Sequence, residues 1–144
     1  MTLDDILNEW AKDCIVDRTE LAEESLKTIS LHSKYMRIYK EEKLKLIKLK
    51  QEHSKLRLAK HEFFSMGPSK ETEKLGWEMP ARGMVIKTEV DMYLQADQDI
   101  INDNLRIAMA QEKVDLLFDI LKEVNNRRWS IRAAIDFMKW VGGG

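Results

Sequence analysis

The chain has one cysteine, two prolines and six glycines in 144 residues, and three of the glycines are its last three residues. Cys14 has no intrachain partner, so no disulfide framework supports the fold. One Cys with three scattered His does not supply the three or four ligands that zinc takes. So few helix breakers exclude the turn-rich pattern of a β-sandwich or barrel and point to long helices. No apolar run approaches the ~20 residues that span a bilayer. The N-terminus is acidic and lacks the basic and apolar stretches of a secretion signal. The expectation is a soluble intracellular protein. Glycine-rich phosphate loops and Glu-x-x-His pairs are also missing, and no nucleophile stands near a base in sequence. This predicts a non-enzyme without metal or cofactor. Asp97 and Asp99 would lie about 200° apart on a helix, so with Asp103 they read as a solvated face. Cys14, in an apolar context, reads as a small core residue.

Charge is abundant but nearly cancels: 24 Lys and Arg face 25 Asp and Glu, a net of −1. The cancellation is between blocks. Residues 1–33 carry −5, residues 34–60 carry +7, residues 61–88 are neutral, residues 89–126 carry −6 and residues 127–144 carry +3. Such segregation suggests a polyanion-binding surface or head-to-tail self-association. The 34–60 block holds ten cations and three acids, with Tyr35 and Tyr39 inside it and Phe63-Phe64 just beyond. Cations beside aromatic rings suit single-stranded nucleic acid, because every base has a face to stack. The plainer alternative is a solvated helix whose cations pair with acidic neighbours.

The apolar spacing predicts an all-α protein, read as one helical domain over residues 1–144. Thr2 and Asp5 form a capping box for a short helix to about Asp13. Asp17 and Glu20 suggest a second box, opening a helix over about 18–66 with no Pro or Gly. Such a helix is about 74 Å long, well beyond a globule of this size, so it is expected to break near Ser30–Ser33 or to pack its far end on another chain. Leu31, Tyr35, Ile38, Leu46, Leu49, Leu56 and Phe63 form one narrow seam, interrupted by Glu42, His53 and Lys60. Phe64 lies off that seam and is the better stacking candidate. Gly67-Pro68 ends the helix, and residues 67–87 read as a loop holding Trp77. A second long helix is expected over about 88–126, stopping at Asn125-Asn126. Ser130 would cap a last helix with the seam Ile131, Ala134, Ile135, Met138 and Val141.

Particular residues add a resemblance. Leu31-His32-Ser33-Lys34-Tyr35 followed by Glu41-Glu42-Lys43-Leu44-Lys45-Leu46 resembles the long basic helix of the UvsY family of phage recombination mediators. Leu3-Asp4-Asp5-Ile6 and Thr19-Glu20-Leu21 are similar to that family's opening, Leu75-Gly76-Trp77-Glu78 to its mid-loop motif, and Ala96-Asp97 with Asp99-Ile100 to the start of its next helix. Asn125-Asn126-Arg127 and Ile131-Arg132 with Ala134-Ile135 resemble its C-terminal helix. Phe63-Phe64-Ser65-Met66 stands where the family often has a Tyr-Tyr pair before Asn-Gly or Ser-Gly. Lys60 matches one position of a family basic pair, and Leu58 occupies the other beside Arg57. The resemblance implies a non-enzymatic, ring-like homo-oligomer, a hexamer or heptamer, acting in the cytoplasm of an infected bacterial host. It implies binding to single-stranded DNA and to the phage single-strand-binding protein, and loading of the phage strand-exchange recombinase. On this reading Lys43, Lys48, Lys50, Lys55, Arg57 and Lys60 contact phosphates, Phe64 stacks, and the 127–144 helix is the oligomer seam. The acidic 89–126 segment would pair with neighbouring subunits or partners. The alternative is a coiled-coil adaptor without nucleic-acid binding.

Overall fold

The computed structural model describes residues 1–143 and is all-helical: α1 Leu3–Asp13, α2 Leu21–Met66, α3 Lys70–Lys74, α4 Val90–Ala96 and α5 Gln98–Val141. Where one helical domain was expected, the chain packs as two compact units. The first comprises Met1–Lys45 with Ala110–Gly144, and the second Leu46–Met109.

In the first unit the capping box at Thr2 forms as predicted. The Thr2 hydroxyl accepts the Asp5 N–H at 3.1 Å, and the Asp5 carboxylate accepts the Thr2 N–H at 2.8 Å. It starts α1 where Ile6 and Trp10 can turn inward. Ile6, Tyr35, Leu117, Ile120, Leu121 and Val124 make the core, with Trp10 edge-on to Tyr35 at 5.5 Å. Cys14 is exposed rather than in the core. The second capping box does not form. Asp17 instead accepts from the Thr19 N–H and hydroxyl at 2.9 and 2.7 Å, a local turn that holds these residues out of the helix, so α2 starts at Leu21.

Helix α2 neither breaks at Ser30–Ser33 nor needs another chain to cover its far end. Its 46 residues run unbroken, and the last third is packed within the second unit. There Phe63, Phe64, Val85, Val90 and Leu94 form the core, with Trp77, Met79 and Tyr93 against it. Gly67 stops α2 at φ +96°, with its N–H on the Phe63 carbonyl at 3.0 Å. The predicted loop contains α3, capped by Ser69 and Thr72.

The second long helix departs from expectation at both ends. A break at Asp97 separates α4 from α5, because the Asp97 carboxylate accepts the Ile100 N–H at 3.1 Å and so caps a new helix. Asn125-Asn126 does not stop α5, and Ser130 caps nothing. The helix continues to Val141 because Val124, Arg127 and Ile131 are all buried on one face, which outweighs the weak propensity of two asparagines. Arg127 anchors this stretch. It donates to the Asp13 and Glu24 carbonyls at 3.2 Å each and pairs with the Glu24 carboxylate.

Candidate nucleic-acid interface

Three polar residues interrupt the α2 seam, and each meets a counterpart. In the first unit buried Glu42 faces Lys45 at 3.3 Å and Lys113 at 3.8 Å. In the second, His53 Nδ1 lies 2.8 Å from an Asp103 oxygen. Lys60 Nζ lies 3.1 Å from Asp97 and 2.9 Å from Asp99, and 4.1 Å from the Trp77 ring centroid. Asp97 reaches the same cation as Asp99 because it caps the helix from outside, which removes the 200° separation expected of two helical positions. Asp97 and Asp103 are therefore largely withdrawn from solvent while Asp99 stays exposed, and all three pair with the basic helix of their own chain.

Two expected contacts with DNA are corrected by this packing. Lys60 is only 4% exposed and already holds two carboxylates. Phe64 is 5% exposed, stacked at an angle on Phe63 and Tyr93 with centroids 5.5 and 5.9 Å apart. It falls off the α2 seam but onto the face covered by α4. Arg57 stays exposed and contacts Asp91 at 3.3 Å. Trp77 docks edge-on to Phe63 at 5.5 Å.

The other predicted phosphate ligands are free. In the first unit Lys43 is exposed, as are Arg37 and Lys40, which composition alone did not single out. In the second unit Lys48, Lys50 and Lys55 are exposed. Among the described residues none of these six is in an ion pair. Within each unit helical phase accounts for part of this: Arg37 and Lys40 lie within about 60° of one another, opposite buried Tyr35, in the first, and Lys48 and Lys55 within about 20°, opposite buried Leu46, in the second. Lys40 and Lys43 also lie 5.7 and 5.6 Å from the Tyr39 ring. These exposed cations are of the kind that neutralise the phosphates of a polyanion.

At the C-terminal end, Ile131 is buried against its own chain and is removed from the predicted seam. Ala134 and Ile135 are half-buried, and Met138 and Val141 are exposed.

Among the described residues no helix is long and apolar enough to cross a membrane. No curated protein matches the sequence. The fold is shared with crystal structures of the bacteriophage T4 recombination mediator protein UvsY. The lattice type II form has 22% identity and a TM-score of 0.80, covering 100% of this chain and 99% of the other. The lattice type IV form has 18% identity and a TM-score of 0.82, covering 97% and 98%. The family model described as recombination, repair and ssDNA binding protein UvsY matches residues 9–144, and this chain belongs to that family.

Proposed function

We propose that this protein is a recombination mediator that binds single-stranded DNA through the exposed cations of α2. It helps load a phage strand-exchange recombinase onto DNA covered by single-strand-binding protein, in the host cytoplasm. The observation that carries the DNA-binding reading is the set of unpaired exposed cations on α2, Lys43, Lys48, Lys50 and Lys55 among them, in a chain whose family is described by single-strand binding. Each subunit offers a modest site. A ring-like homo-oligomer, a hexamer or heptamer, joins many such sites, and linkage raises avidity by about 10²–10⁴ over one site. Ala134, Ile135, Met138 and Val141 supply the seam between subunits in this reading. A strand bent around such an assembly is held less well by its single-strand-binding protein, which favours recombinase nucleation.

Salt dependence tests the site. Each phosphate neutralised adds about 0.7 to the magnitude of the log–log slope of affinity against salt. Replacing Lys43, Lys48, Lys50 and Lys55 with Ala is expected to flatten the slope for an oligothymidylate and weaken binding at low salt. An unchanged slope places the contacts elsewhere. No binding by the native chain at low salt leaves the adaptor reading standing.

A further inference from the structure

The C-terminal quarter of α5 carries a second surface that adjoins the seam at Ile135. Arg128, Arg132 and Lys139 are exposed, as are Trp129 and Trp140, which are 61% and 77% accessible as whole residues. Among the described residues none of the three cations is in an ion pair. Because α5 does not break at Asn125-Asn126, helical phase places them all. The three cations share a sector of about 40°, the two tryptophans lie about 20° apart beside it, and the group is centred about 170° around the helix from Ala134, Met138 and Val141, with Ile135 at the edge of the cation sector. Cations and Trp129 line a groove of about 680 Å³ together with Ile131 and with Ile135 of the seam, and Asp136 and Ser25 of α2 also reach into it.

We propose that this face is a second binding surface for single-stranded nucleic acid, taking phosphates on Arg128, Arg132 and Lys139 and unpaired bases on Trp129 and Trp140. The inference rests on the single-strand-binding reading above and adds to it. On α2 the aromatic rings near the cations are largely withdrawn: Tyr35 and Phe64 are buried and Tyr39 is half-buried. On α5 rings and cations are exposed together. Guanidinium groups match phosphate geometry and also stack, and exposed indoles offer the sequence-tolerant platform that unpaired bases use. The two tryptophans are 11 residues apart, a rise of about 17 Å along α5, enough for separate bases of one extended strand. An acidic protein surface would use the cations and leave two large rings in water. An acidic surface on this chain is the exposed set Glu112, Asp115, Asp119 and Glu123, and a second copy presenting it is the competing outcome.

The test uses the full chain, a fluorescent oligothymidylate, and native mass measured on every variant. The variants are Trp129→Ala with Trp140→Ala, and Arg128→Ala with Arg132→Ala, beside the α2 lysine variant. Stacking contributes about 1–3 kcal/mol per base, so the tryptophan pair is expected to weaken binding at least tenfold at unchanged native mass. The arginine pair is expected to flatten the salt slope by about 1.4. Unchanged affinity and slope in both, with the α2 variant still impaired, overturn this inference and spare the proposed function. A fall in native mass makes the face a contact between copies and overturns it as well. If the native chain does not bind the oligonucleotide, the single-strand-binding reading fails and this inference with it.

Discussion

Lys60 shows how packing decides the part a side chain plays. Its charge sits among Asp97, Asp99 and the Trp77 ring, so its removal strands carboxylates in a partly dry site. Lys60→Met is expected to cost about 3 kcal/mol in urea unfolding while leaving the salt slope of DNA binding within error of the native chain. A flattened slope at unchanged stability would make it a phosphate ligand after all. Asp13 gives a pH signature in the first unit. Burial pushes its carboxyl up, but hydrogen bonds from Lys34 at 2.6 Å and Tyr35 at 2.7 Å outweigh that, and the pKa is lowered below 3.8. A lowered folded pKa contributes stability above the unfolded value, lost as pH falls through the folded one. Asp13→Asn is therefore expected to lose about 1–2 kcal/mol at pH 7 and to narrow its deficit as pH falls below 3.8 and on through the lower folded pKa, beneath which the native side chain is uncharged too. A deficit independent of pH would contradict this. Lys34 is the mirror case: hydrogen bonds from its ammonium to Asp13 and Glu9 raise its pKa, so its contribution holds through neutral pH and is lost only in strong alkali.

Among the elements, Gly67 ends α2 with a positive φ that L-residues adopt at a cost. A Cβ there would meet only the Met84 side chain, at 3.6 Å. Gly67→Ala is thus expected to destabilise by about 1–2 kcal/mol through backbone strain, seen as a lowered melting temperature with helix content retained. A chain as stable as the native one would show the turn can relax. That stop was legible, as were the capping box at Thr2 and the seam of α2, because each rests on neighbours within a few residues. What was not legible depended on distant partners. Continuity through Asn125-Asn126 needed the burial of Val124, Arg127 and Ile131. Asp17 fitted a capping spacing but found Thr19 nearer. The burial of Phe64 came from Val85 to Leu94, a segment that reads as loop and helix start with no mark of where it packs.

For the whole molecule, charge segregation was visible once blocks were counted, and the structure divides the basic block by use. His53, Arg57 and Lys60 face aspartates, while Lys43, Lys48, Lys50 and Lys55 stay free. Self-association makes its own prediction. Met138→Glu with Val141→Glu alters two exposed side chains, so the fold should survive while native mass falls to that of smaller species; an unchanged mass rejects this seam. Truncation from residue 127 onward is a poorer test, because it removes Arg127 and Ile131 from the first unit's interior. The unbroken run of α5 also limits how such a gene can change length. One inserted residue between Ile100 and Ile131 turns everything downstream by about 100°, carrying the buried stripe off its packing face. Insertions within α5 are expected in steps near seven residues, whereas the segment between α3 and α4 tolerates single additions, and length differences among relatives should collect there.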